Sequence, residues 1–283
     1  MKLMIDVLRG ALIGMANVIP GVSGGTMMVS MGIYDKIIGS ITHFVKQWKK
    51  SILILLPYVI GMLLGIVGSS FSIELLFERF PLPTALLFIG LIFGGLPMLW
   101  KKVRGKVSPL CVLLFLLFFA LVIGLQLLGQ QAGLERSLEL SFGNVVIAFL
   151  VGTIAAATMV IPGVSGSMVM MILGYYTAII GLINDLMSAL FHLDIAAMLP
   201  VVGILFPFGI GVLTGIVGVA KLIEYLMQHY ERETYAAILG LVLASPFPVF
   251  VNAGIGGISA GAVCAGIVCF VAGCIAALRL GKE

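Results

Sequence analysis

The sequence predicts an all-α integral membrane protein, an inverted-topology tandem repeat in which each half is one re-entrant helical hairpin plus three transmembrane helices. Three observations lead to this fold class. The chain is 61% hydrophobic and only 10% charged, with mean hydropathy +1.23. Soluble domains carry about 25% charged residues, so lipid must cover much of this surface. The heptapeptide Val-Ile-Pro-Gly-Val-Ser-Gly occurs twice, at residues 18–24 and 160–166, each time interrupting an apolar stretch. Finally, the Lys and Arg residues gather in loops whose alternation fits a repeat with an odd number of crossings.

Along the chain, the first copy (1–128) opens with a broken segment at about 6–42 and continues with apolar spans near 51–71, 82–100 and 108–128. A polar linker at 129–142 follows. The second copy (143–283) repeats the pattern, with a broken segment at about 145–183 and spans near 198–220, 235–250 and 258–278. Each unbroken span can cross a hydrocarbon core of ~30 Å at ~1.5 Å per residue. At an offset of 142, Gly10 meets Gly152, Met28 meets Met170, Gly32 meets Gly174 and Tyr34 meets Tyr176. After an insertion the offset becomes 150, where Pro57 meets Pro207, Gly65 meets Gly215, Glu74 meets Glu224 and Gly90 meets Gly240. The N-terminal apolar stretch has an internal counterpart near residue 152, so it reads as part of the fold and not as a signal peptide.

The arm before Pro20 has barely a dozen apolar residues, about half to two-thirds of a crossing. A re-entrant hairpin is therefore expected, and two tilted crossings would leave the parity unchanged. Three crossings plus a hairpin make an odd unit, so the second copy enters upside down. With both termini cytoplasmic, Arg9, Lys46, Lys49, Lys50, Lys101, Lys102, Arg104, Lys106, Lys221, Arg232, Arg279 and Lys282 all fall inside. The linker with Glu135, Arg136 and Glu139 falls outside, as does the stretch 184–194, which has no Lys or Arg.

A Pro-Gly break removes helical hydrogen bonds, and in a bilayer it survives only where protein buries it or it lines a cavity. Matched breaks in two halves are the best sequence pointer to a transport site. Helix one must end before Pro20. Ser23 then suits an N-cap, leaving Gly24, Gly25 and Thr26 with free N–H groups beside Gly21. Gly163, Ser165, Gly166 and Ser167 repeat the arrangement. Such helix starts favour phosphate or carboxylate. Two other readings are open: the glycines let helices pack closely, or the carbonyls of the first arm hold a cation such as Na⁺.

Further candidates are charged or polar. Arg9 suits a bidentate phosphate contact or an interfacial anchor, and Asn17 a hydrogen bond to the break or to a ligand. Asp35, Glu74 and Glu224 are candidates for coupling to H⁺ or Na⁺. Copy two has Val151, Thr177 and Ala178 where copy one has Arg9, Asp35 and Lys36, so the halves differ electrostatically. Cys111, Cys264, Cys269 and Cys274 form no CxxC pair and read as packing residues, so neither a metal nor a disulfide framework is expected. No Ser-His-Asp order, HExxH or P-loop is present, and no basic patch interleaved with aromatics points to nucleic acid.

The run from Gly14 through Asn17, Pro20 and Gly24 to Thr26, followed by Gly32-Ile33-Tyr34-Asp35, resembles the polyprenyl-phosphate transporter (PopT) family, and the run from Met159 to Ser167 is similar to its second motif. The resemblance covers essentially the whole chain. It implies a flippase of the plasma membrane of bacteria or archaea, which returns undecaprenyl phosphate from the outer to the inner leaflet so that the lipid carrier serves peptidoglycan synthesis again. No cofactor is implied. Undecaprenyl phosphate and membrane lipids are the expected partners, and the oligomeric state is open. The binding residues come from helix-end physics and not from the resemblance. Two alternatives stand beside it: a membrane undecaprenyl-diphosphate phosphatase and an ion-coupled small-anion transporter.

Overall fold

A computed structural model describes residues 2–19, 22–105, 107–131, 133, 135–256 and 258–281. All regular structure among these residues is helical. Copy one contributes α1 (Lys2–Val18), α2 (Gly24–Ser30), α3 (Tyr34–Thr42), α4 (Trp48–Arg79), α5 (Pro81–Val103) and α6 (Pro109–Gln131). Copy two contributes α7 (Phe142–Val160), α8 (Gly166–Leu173), α9 (Tyr176–Phe191), α10 (Ile195–His229), α11 (Glu231–Ala244), α12 (Pro246–Asn252) and α13 (Ala260–Leu280). Among the described residues seven stretches are long and apolar enough to cross a membrane: α4, α5, α6, α7, α10, α11 with α12, and α13.

The elements recur at the sequence offsets. Helices α1 and α7 end at Val18 and Val160, and α2 and α8 begin at Gly24 and Gly166. Both short helices end in the same way. Ile33 N–H reaches back to Met28 O, and Tyr175 N–H to Met170 O, each at 3.0 Å. Gly32 and Gly174 take φ of +66° and +80° between them, the left-handed turn of a glycine-closed helix end.

The first arms, α1 and α7, have 17 and 19 residues. Asp6 and Arg9 of α1 pair within it. Two features depart from the expected elements. The second arms are not continuous, since Gly32 and Gly174 divide them, and α8 and α9 meet at a bend of 107°. The expected span at 235–250 is likewise divided at Ser245, where Pro246 has no amide hydrogen to carry the ladder onward.

Packing regroups the copies into two compact units. One holds Met1–Ile123, Ile161–Val164 and Ala220–Glu283; the other holds Gly124–Val160 and Ser165–Val219. In the first, α1 lies directly on α4: a Cβ on Gly61 would sit 2.0 Å from Val7 O, and one on Gly65 2.2 Å from Ala11 O. In the second, α7 lies on α10 by the matched contacts, Gly211 against Phe149 O at 2.1 Å and Gly215 against Thr153 O at 2.2 Å. No side chain fits at these four positions, which is how small residues bring membrane helices together. Helix α13 joins the first unit by packing on α5, with Gly90 against Phe270 O. The second unit has an apolar core that includes Ala148, Val151, Tyr175 and Ile204. Outward faces are apolar too, with Val67 79% and Leu53 74% exposed, as lipid contact requires.

Candidate functional site

The first break begins where α1 stops. Val22 N–H donates to Ile19 O at 3.2 Å. Ser23 follows with extended backbone, and α2 starts at Gly24. Pro20 and Gly21 lie outside the described residues, so Gly21 is not placed. The expected Ser23 cap is absent: its side chain makes no capping bond. Asn17 Oδ1 instead accepts from Gly24 N–H at 3.1 Å. The amide of Asn17 reaches this N–H from the last turn of α1, and it does so without a Cβ on Gly24, which would lie 2.7 Å from Oδ1. Ser23 is left buried, 3% exposed, and among the described residues its hydroxyl has no hydrogen-bond partner. A buried hydroxyl without a partner costs free energy.

Residues 161–164 of the second break pack into the same compact unit. Thr26, fully buried, accepts from Gly163 N–H through Oγ1 at 2.7 Å. Gly25 faces Pro162 so closely that a Cβ would lie 3.1 Å from Pro162 Cα. Gly163 holds φ at +80°, and a Cβ there would meet Leu241 O at 2.6 Å. Gly25 and Thr26 thus touch Pro162 and Gly163. In the second unit Ser165 and Ser167 share a hydrogen bond at 2.8 Å, and Gly166 sits against Ala155 O, where a Cβ would come within 2.6 Å. Met159 covers Gly166 where Asn17 covers Gly24, so the polar cap belongs to copy one.

Arg9 is engaged within the first unit. It is 5% exposed, its Nη1 donates to Asp6 at 3.1 Å, and its Nε donates to Leu280 O at 3.2 Å. It therefore closes the carbonyl end of α13, which carries partial negative charge. Asp6 also accepts from Tyr58 Oη at 2.6 Å and from Lys36 Nζ at 3.2 Å, and Lys36 donates to Tyr58 Oη at 2.9 Å. This buried network joins α1, α3, α4 and α13. Sequence reasoning missed Asp6 and Tyr58. Their signal lies in the repeat: Asp6, Arg9, Lys36 and Tyr58 correspond to Ala148 and Val151 in the apolar core of the second unit and to Ala178 and Phe208 packed against it.

Of the candidate coupling carboxylates, Asp35 meets a phenol and a lysine and Glu224 an imidazole, and neither bonds a described break residue. Asp35 accepts from Tyr235 Oη at 2.5 Å and lies 3.9 Å from Lys102, which also bonds Glu231 at 3.2 Å. Glu224 lies 3.3 Å from His43 Nδ1. The Glu74 side chain lies outside the described residues. Among the described residues no group of His, Cys, Asp and Glu has a metal-binding arrangement.

Helical throughout its described elements, with seven apolar stretches of spanning length and with Gly-Pro breaks that touch, this is a multi-pass membrane protein of the discontinuous-helix class. The chain belongs to the VCA0040-like family, described as undecaprenyl phosphate translocase-like, whose model matches residues 13–255. It is similar to a polyprenyl-phosphate transporter of Staphylococcus aureus, at 32% identity over 98% of this chain and 96% of that protein. A polyprenyl-phosphate transporter of Vibrio cholerae is 28% identical over 84% of this chain and 74% of that protein. No solved structure matches the chain.

Proposed function

We propose that this protein is a polyprenyl-phosphate translocase which returns undecaprenyl phosphate from the outer to the inner leaflet of the plasma membrane, with its head group held at the breaks. The observation that carries this is the contact of Gly25 and Thr26 with Pro162 and Gly163, in a chain whose relatives are named polyprenyl-phosphate transporters. The buried, unpartnered Ser23 hydroxyl supports a polar ligand there. In this proposal the first break offers Ser23, Gly25 and Thr26 to the head group, and the second break separately offers Ser165, Gly166 and Ser167. A phosphate alone in hydrocarbon is prohibitively costly, so it must exchange water for such donors while its prenyl tail stays in lipid. Gly24 and Gly163 have their N–H groups taken by Asn17 and Thr26. These bonds are the ones an arriving head group displaces. Arg9 is a positioning residue, fixing α1 against α13. The inverted topology, re-entrant breaks and cytoplasmic termini belong to the same proposal.

The phosphatase alternative loses on chemistry. A serine nucleophile needs a base within hydrogen-bond reach. Among the described residues Ser23 has no partner, and Ser165 pairs with another serine. Purified protein given undecaprenyl diphosphate should release no phosphate above background, while it moves undecaprenyl phosphate across proteoliposome bilayers. Steady phosphate release would overturn the assignment.

A further inference from the structure

At the start of α4 the first unit has a second polar feature, apart from the breaks. A cleft of about 310 Å³ opens between α3, the first turns of α4 and Glu224, within the ~300–1,000 Å³ of small-ligand sites. Lys36, His43 and Lys50 line it, with the hydroxyls of Ser40 and Ser51 and the amide of Gln47 between them. Ser40 and Ser51 are buried. Of the lining residues Lys36 and Lys50 are fixed cations and Glu224 is the one carboxylate, before any charge on His43 is counted. The cluster therefore has positive charge to spare. Lys36 is shared: Asp6 and Tyr58 hold one side of its ammonium, while its side chain stays 38% exposed toward the cleft. Among the described residues Lys50 makes no ion pair.

Topology alone does not account for this placement. Lys46 and Lys49 suffice as loop anchors, whereas Lys36 lies within α3, beside buried serines. The second unit has a counterpart cleft of about 370 Å³, lined by Asp185, Ser188, His192, Asp194, Ala197 and Val201. At the offset of 150, Ala197 and Val201 stand where copy one has Gln47 and Ser51. The same recess is thus basic in one copy and acidic in the other. Beside the basic cleft, Ile54 forms an apolar wall. Leu53, Leu56, Ile60, Leu64 and Val67 continue from it along one exposed face of α4.

We infer that this cleft is a second anion site, which takes a phosphate monoester dianion and lets an attached isoprenoid chain lie along α4 in lipid. In the translocase, on which this inference rests, it is the station where the head group waits on the side of the basic loops. Lysine ammonium and serine hydroxyl groups supply the charge-assisted bonds, and the acidic counterpart repels the same ligand. A lipid head group and free inorganic phosphate share this chemistry.

Trp48, two residues before Lys50, provides the probe, because the chain has only two tryptophans and Trp100→Phe leaves Trp48 alone. Purified protein in nanodiscs is titrated with farnesyl phosphate, farnesol and inorganic phosphate. Farnesyl phosphate should change Trp48 emission saturably and farnesol should not. Lys50→Gln should weaken binding about tenfold, and Lys50→Gln with Gln47→Glu should abolish it. Both positions lie at the open end of the cleft, so the fold is not at stake as it would be for Lys36. Competition by inorganic phosphate assigns the site to phosphate itself, and lack of competition assigns it to the lipid head group. Affinity unchanged within about twofold in both variants, or equal binding of farnesol, would overturn the inference. Unchanged binding in variants of a protein that still moves undecaprenyl phosphate removes the cleft and leaves the translocase. A wild-type protein that neither binds nor moves it removes both.

Discussion

Replacing Thr26 by Val disturbs the contact between the breaks with the least collateral change. Valine keeps the shape and volume of threonine, so no cavity opens at a residue that is fully buried. What disappears is the oxygen that accepts Gly163 N–H at 2.7 Å. A buried donor left without an acceptor costs about 1–3 kcal/mol. At about 1.4 kcal/mol per factor of ten, the arrangement seen here falls in population by roughly 5- to 150-fold against its competitors. Thr26→Ser keeps the oxygen and loses one methyl, worth about 0.8 kcal/mol. Thermal unfolding of the purified protein in detergent and flux of labelled undecaprenyl phosphate in proteoliposomes should be read together. The valine variant should melt earlier and transport at least fivefold more slowly, with serine close to wild type. A valine variant as stable and as active as wild type would refute the idea that this hydrogen bond joins the breaks functionally.

Three other outcomes are expected. Gly211→Val forces a side chain into Phe149 O, 2.1 Å from its Cβ. Overpacking of this kind costs about 1–3 kcal/mol or more, and the variant should be recovered in lower yield and melt earlier on fluorescence-detected size exclusion. Arg9→Gln leaves Asp6 with less compensation, and breaking a buried pair costs about 3–5 kcal/mol. A double-mutant cycle with Asp6→Asn should therefore recover much of the lost stability; strict additivity would place the pair's coupling at zero. In a cysteine-free background, a cysteine at Met187 should react with an impermeant maleimide from outside the cell, and one at Lys49 only after permeabilisation. Labelling of both from one side would exclude the inverted topology.

The helix ends at the breaks were legible because proline and glycine act locally. Pro20, Pro162 and their neighbours announce a stop whatever surrounds them, and the ends at Val18 and Val160 follow. The duplication was legible through spacing, and the glycines that bring α1 onto α4 and α7 onto α10 obey it. Gly32 and Gly174 were matched in sequence, yet their left-handed turns were not anticipated, since an isolated glycine also fits inside a membrane helix. The charged network around Asp6 was missed for a different reason. A search for likeness between copies passes over positions where they differ, and Ala148 and Phe208 carry no hint of the Asp6 and Tyr58 opposite them. Ser23 shows the limit of residue preference. It suits an N-cap by type, but its side chain makes no cap bond, and Asn17 of the preceding helix accepts from Gly24 N–H at the start of α2. Packing partners were the least legible, because nothing in the loops tells α13 to lie on α5.

The central claim is that the breaks carry a prenyl phosphate across the bilayer. Its most direct measurement is leaflet-resolved movement of labelled undecaprenyl phosphate in proteoliposomes, with and without a pH or Na⁺ gradient, comparing the wild type with Gly24→Val. The valine Cβ would fall 2.7 Å from Asn17 Oδ1 and break that cap while leaving the spans intact. Movement that depends on the wild-type protein and is lost in a correctly inserted variant is the predicted result. Movement no faster than in empty liposomes, or a variant as active as the wild type, would contradict it.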